Sequence, residues 1–160
     1  MNKLGLILST ARYSRHLLDR IFSDATEIVG EVELYVLYVI ETDQLAKIAQ
    51  QVGGSGFLGS GVQKDVFDSL QAEHHRMALQ RIAEVKERAA RANYSVVVQE
   101  ASGNFMDEVL RFAEQQSCDV IYLTREDKPF ISRFLFGSEA DKIARLVKQE
   151  GFGEVIIDQI

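Results

Sequence analysis

The chain has 160 residues, 46% of them hydrophobic and 26% charged, and a formal net charge of −6. That length suits one domain spanning residues 1–160 with a core of its own. No apolar run approaches the ~20 residues of a membrane span, so a soluble protein is expected. The acidic balance opposes nucleic acid, whose binding draws on phosphate neutralisation by Lys and Arg. Residues 1–20 carry polar groups throughout and show no secretory leader, so a cytoplasmic location is expected. The single Cys118 has no partner for a disulfide and reads as a small buried hydrophobe.

In chain order, five apolar runs read as strands: Leu4 to Leu8, Leu34 to Ile40, Val96 to Val98, Val120 to Leu123 and Val155 to Ile157. Continuous apolar character predicts parallel strands covered by helices on both faces. Between them run helical stripes. The first is Leu18, Ile21, Phe22, Ala25, Ile28 and Val29; the second is Ala78, Ile82, Val85, Ala89 and Ala92. Met106, Val109, Leu110 and Ala113 form the third, and Ala140, Ile143, Ala144 and Val147 the fourth.

Asn104 with Asp107, and Ser138 with Asp141, have the spacing of helix N-caps with an acidic partner. Gly30 and Gly151 stand where helices should end. Residues 43–52 read as a polar, partly helical excursion, and a helix is expected from near Gln63. The glycine-rich stretch Gly53 to Gly61 contains Gly54-x-Gly56-x-x-Gly59, but it does not follow a strand directly and reads as a mobile connection. The alternation predicts an α/β, doubly wound, Rossmann-like sheet.

The fourth strand leads into Thr124-Arg125-Glu126-Asp127, and nine residues after Asp127 come Gly137-Ser138 at a helix start. A strand, a turn and a helix N-terminus in that order can present backbone N–H groups to an anion. The layout resembles the universal stress protein family, whose nucleotide-binding members carry glycine, two residues, glycine, nine residues, glycine, then serine or threonine. Positions 124, 127 and 137 fall in that register, with Thr124 and Asp127 in place of the first two glycines. Ser102 to Val109, Leu37 to Ile40 and Ser117 to Ile121 resemble further family segments, so the resemblance spans Leu4 to Ile157.

The resemblance implies a five-stranded sheet in the order 3-2-1-4-5, akin to adenine nucleotide alpha hydrolases, with its switch point between strands 1 and 4. It implies an ATP site at Ser9, Val39, Thr124, Asp127, Gly137 and Ser138. Val39 would pack on adenine, and Ser9 stands where relatives place an aspartate that holds the base. It also implies a homodimer paired through the last strand at Val155, Ile156 and Ile157, an edge that invites pairing in any case.

The substitutions argue for weak or lost binding of ATP or AMP. A β-branched Thr124 resists the glycine conformation. Asp127 would repel a phosphate by roughly 3 kcal/mol at ~5 Å and an effective dielectric near 20. Arg125, Lys128 and Arg133 are the candidate anion partners. His16 and the His74-His75 pair do not have metal-ligand spacing, so no metal is expected. No nucleophile motif and no carboxylate cluster at strand ends beyond Asp127 suggests catalysis. The expected function is a non-enzymatic regulatory module acting through an unidentified protein partner. The alternative is a nucleotide-responsive switch or slow ATPase using the modified loop from Thr124 to Ser138.

Overall fold

The computed structural model describes residues 2–53, 60–125 and 138–158. The elements are β1 (Asn2–Ser9), α1 (Arg15–Thr26), β2 (Val32–Ile40), α2 (Thr42–Gly53), α3 (Ser60–Arg91), β3 (Ser95–Ser102), α4 (Phe105–Gln116), β4 (Val120–Thr124), α5 (Glu139–Glu150) and β5 (Glu154–Asp158). The five strands form one sheet in the order β3-β2-β1-β4-β5, and every pairing is parallel. This is the doubly wound α/β arrangement expected from the sequence. The chain reverses its direction of travel across the sheet at β1, which lies between β2 and β4.

Alternation of side chains along each strand divides the core into two layers. Leu4, Leu6 and Leu8 of β1 face α1 and α3, where they join Leu18, Ile21, Ile82 and Val85. Ile7 faces the other side and joins Val109, Phe112, Ile143 and Val147 of α4 and α5. Gly5 also belongs to that second face: a Cβ there would stand 3.2 Å from both Cys118 Sγ and the Phe112 ring. Cys118 is buried as expected.

The outer strands are less covered than their apolar runs suggest. Val97 of β3 is 45% exposed, and Val155, Ile156 and Ile157 of β5 are half-buried, because a sheet edge has a neighbour on one side only. Val29 is 95% exposed, since α1 stops at Thr26 before that stripe is complete. Ala92 likewise falls beyond the end of α3 and is exposed. Gly151 does end a helix, in the left-handed conformation. Gly30 instead forms the turn into β2 with φ +105°, while α1 is closed by Glu27.

Two helices differ from the sequence expectation in extent. Residues 42–53 form a complete helix, α2, and α3 starts at Ser60, before Gln63. Residues 54–59 of the glycine-rich stretch lie outside the described residues, as does the mobility expected of them. At 32 residues α3 is ~48 Å long, whereas the eight residues of β3 span ~26 Å. Its buried positions, Ala78, Ile82, Val85 and Ala89, all lie in the second half. The first half therefore rises past the carboxyl edge of the sheet, where it packs against α2. No described helix is long and apolar enough to cross a membrane.

Candidate functional site

Ligands of open α/β sheets sit beyond the carboxyl ends of the strands, where the strand order reverses. Here that place is bounded by Ser9 at the end of β1, Val39 beside it in register on β2, and Thr124 at the end of β4. All three are buried, at 0, 0 and 1% exposure. Ser138 caps α5 by accepting from the Asp141 N–H at 3.0 Å, and Asn104 caps α4 by accepting from the Asp107 N–H at 3.1 Å. Asp127, Lys128, Arg133 and Gly137 lie outside the described residues.

Ser9 and Arg12 exchange backbone hydrogen bonds of 3.3 and 3.2 Å, a tight turn that throws the Arg12 side chain across the carboxyl edge. Its guanidinium lies 3.9 Å over the Phe105 ring, at the first residue of α4. Nη2 donates to Glu41 Oε1 just after β2 and to Glu139 Oε2 at the start of α5, both at 3.3 Å. Arg12 is 1% exposed. The Ser9 hydroxyl donates to Glu41 Oε2 at 2.8 Å, so this candidate site group is already engaged within the protein. Ser9 caps no helix; Ser14 does so for α1, accepting from the N–H groups of His16 and Leu17.

A second arginine fixes the same turn from the opposite layer. Arg81 of α3 donates to the carbonyls of Ser9 and Thr10 and to the Tyr38 hydroxyl at 3.1–3.2 Å. Its guanidinium stacks 4.1 Å over Tyr13. Arg12 thus brings two carboxylates, Glu41 and Glu139, to the switch point, and Arg81 adds a second cation at the same turn.

Two further candidates among the described residues, Thr124 and Arg125, are also engaged. Thr124 Oγ1 donates to the Asp158 carbonyl at 3.3 Å. Arg125, a candidate anion partner, donates to Asp141 at 2.8 Å. The buried Asp158 carboxylate meets His16 Nδ1 at 2.8 Å. Glu41 and Asp158 are acidic residues at the ends of β2 and β5, strands that are not neighbours in the sheet. A separate cleft of about 430 Å³ opens at the ends of β2 and β3, beneath the overhanging part of α3, and includes Asp68, His75 and Glu100. Among the described residues no group of three or more His, Cys, Asp or Glu is placed to hold a metal.

The model of the universal stress protein family matches residues 8–150. The chain belongs to the universal stress protein family. Universal stress protein UspA from Lactobacillus plantarum is similar in structure, with a TM-score of 0.68 at 12% identity, covering 99% of this chain and 97% of that one. A universal stress protein in complex with cAMP gives 0.56 at 17%, over 98 and 97%. A family protein from Burkholderia pseudomallei gives 0.55 at 13%, over 99 and 96%. At such identities these likenesses establish the fold. No curated protein matches the chain in sequence.

Proposed function

We propose that this chain is a regulatory module of the universal stress response that binds ATP or AMP weakly or not at all and acts, without catalysis, through contacts with a protein partner. The observation that carries this reading is the buried Arg12, seated on Phe105 between Glu41 and Glu139 where a nucleotide would have to enter. Family membership supports the stress-response role. Mass spectrometry of small molecules released from the denatured protein, with calorimetric titration of ATP and AMP, tests it. Empty protein with millimolar or weaker affinity is expected. Adenine nucleotide at near-stoichiometric occupancy refutes it. Asp127→Gly should strengthen ATP binding tenfold or more, by removing a charge from the loop.

The complex of a structural neighbour with cAMP favours a second reading, a nucleotide-responsive switch or slow ATPase working through the loop from Thr124 to Ser138. Micromolar ATP binding weakened by Asp127→Gly would establish it. In either reading the module is a homodimer through β5, whose outer edge is unpaired within the sheet and carries the half-buried Val155, Ile156 and Ile157. Sedimentation as a monomer at tens of micromolar rejects the dimer.

A further inference from the structure

The stripe of α3 that faces the sheet changes character along the helix. In the second half it consists of Ala78, Ile82, Val85 and Ala89, all buried. Continued towards the helix start at the same three- and four-residue spacing, it reads His75, Gln71 and Asp68, with Ala72 beside them. β3 changes in step. Val96 and Val98 pack on the layer shared with α1 and α3, and the next residues on that face of the strand are Glu100 and Ser102. Ile40, in register with Ser102, adds a buried apolar wall. The two stripes meet as the cleft of about 430 Å³ at the carboxyl ends of β2 and β3, a volume within the range of small-molecule sites.

Among the described residues the lining includes Asp68 and Glu100 and neither Lys nor Arg, so it is anionic whether or not His75 is protonated. His75 Nδ1 lies 2.7 Å from Glu100 Oε1. The side chains of Asp68, Gln71 and Ser102 make no hydrogen bond to another described residue. No group of three or more described His, Cys, Asp or Glu is placed to hold a metal, so the cleft suits an organic cation better than a bare ion. We propose that it binds a small aliphatic amine, a linear diamine being the simplest that matches two carboxylates. An ammonium group sits against Asp68 and Glu100, and the hydrocarbon stem lies along Ile40 and Ala72. An ammonium has three donors and no acceptor, and the Gln71 carbonyl and Ser102 hydroxyl oxygens accept what the carboxylates leave. The cleft lies at β2 and β3, apart from the switch point between β1 and β4, and nucleotide binding there has no part in it.

Titration of the ¹⁵N-labelled full chain with diaminobutane tests this. Saturable one-to-one binding is expected, with the largest amide shifts at Asp68, His75, Glu100 and Ser102. Asp68→Asn and Glu100→Gln should each weaken it about fivefold or more. Glu114→Gln removes the same charge from the exposed face of α4 and should leave affinity within about twofold. Ala72→Leu keeps both carboxylates but fills the cleft, and should abolish most of the binding while amide shifts elsewhere stay in place. Butanediol, with the same carbon chain and no charge, should not bind. Magnesium ion, with the charge and no stem, should not displace the diamine at equal concentration. Absence of a saturable shift at the cleft overturns the proposal, as does undiminished affinity in Asp68→Asn or Glu100→Gln. So does equal binding of butanediol. A loss in Glu114→Gln as large as in Glu100→Gln, full binding by Ala72→Leu, or displacement by magnesium would each mark a general attraction of cations to an acidic protein and refute it equally.

Discussion

Replacing Arg12 with methionine isolates the energetics of the switch-point cluster. The substitution keeps an apolar stem against Phe105 but removes the cation from two carboxylates. Glu139 is exposed enough to rehydrate and should contribute little. Glu41 is only 8% exposed and would keep the 2.8 Å contact from Ser9 as its sole donor in the cluster. Leaving one member of a buried ion pair without its partner costs about 3–5 kcal/mol, and the lost stacking on Phe105 adds about 1 kcal/mol. Partial hydration through the opened site returns part of this, so the expected loss is ~3 kcal/mol. For a chain of this size that corresponds to a fall of roughly 6–12 °C in Tm. Urea unfolding should show a lower midpoint with an unchanged slope. Adding Glu41→Gln removes the stranded charge and should recover ~1–2 kcal/mol, so the two substitutions are non-additive in a double-mutant cycle. A loss below ~1 kcal/mol, or additivity within ~0.5 kcal/mol, would refute the argument that Arg12 neutralises a buried Glu41.

Gly153 has φ +126°, and a Cβ there would stand 2.4 Å from the Cys118 carbonyl oxygen; Gly153→Ala should cost at least ~3 kcal/mol by urea unfolding. Gly30→Ala, at φ +105° but with its nearest neighbour 3.8 Å away, should cost only ~1 kcal/mol of backbone strain, so equal losses would contradict the steric argument. Burial pushes the Cys118 thiol up to about 11, outweighing the influence of Lys3, so an aromatic disulfide reagent near neutral pH should label it only as fast as the protein opens. Labelling proportional to reagent concentration would count against this. For Asp141, burial is the largest single influence and raises its pKa, but hydrogen bonds from Arg125 and Ser138 with the charge of Arg125 together hold it below the ordinary aspartate value. A depressed folded pKa gives stability that is present above the unfolded value and is lost as pH falls through the folded one. Asp141→Asn should therefore destabilise at about pH 6 and lose that effect progressively as pH falls below about 4; a penalty undiminished in acid would reject it.

Strands and helices were legible because burial leaves a periodic trace in the residues themselves. Val36 to Ile40 form an unbroken apolar run since β2 lies inside the sheet, and the caps Asn104 and Ser138 are local signals that need only three residues to be read. Strand order came through the family resemblance, as periodicity does not encode it. The Arg12 cluster left no such trace. Its members are separated by 29 and 127 residues, and no short spacing connects them. The available hint was Glu41, a carboxylate directly following the run Leu34 to Ile40 at the carboxyl end of a strand inside the sheet, where a buried charge needs a partner. Ser9 lies at the end of β1 beside the switch point, and its hydroxyl donates to the Glu41 carboxylate, a contact that no short spacing announces. Exposure of β3 and β5 was also misjudged, because an apolar run does not tell an edge strand from a central one.

The Ser9–Glu41–Arg12 arrangement constrains the routes by which such a chain could change its ligand. Aspartate at position 9 would place a second carboxylate against Glu41 within hydrogen-bond distance of the present contact. Two carboxylates there would compete for the Arg12 guanidinium or share a proton, so aspartate at position 9 alone lowers stability. Restoring glycine at 124 or 127 leaves the arginine in place. Aspartate at position 9 therefore requires Glu41 to change before or together with Ser9. The interior of the switch point acts as a ratchet for position 9: with Glu41 in place, the single step to aspartate is unfavourable until its neighbour has moved.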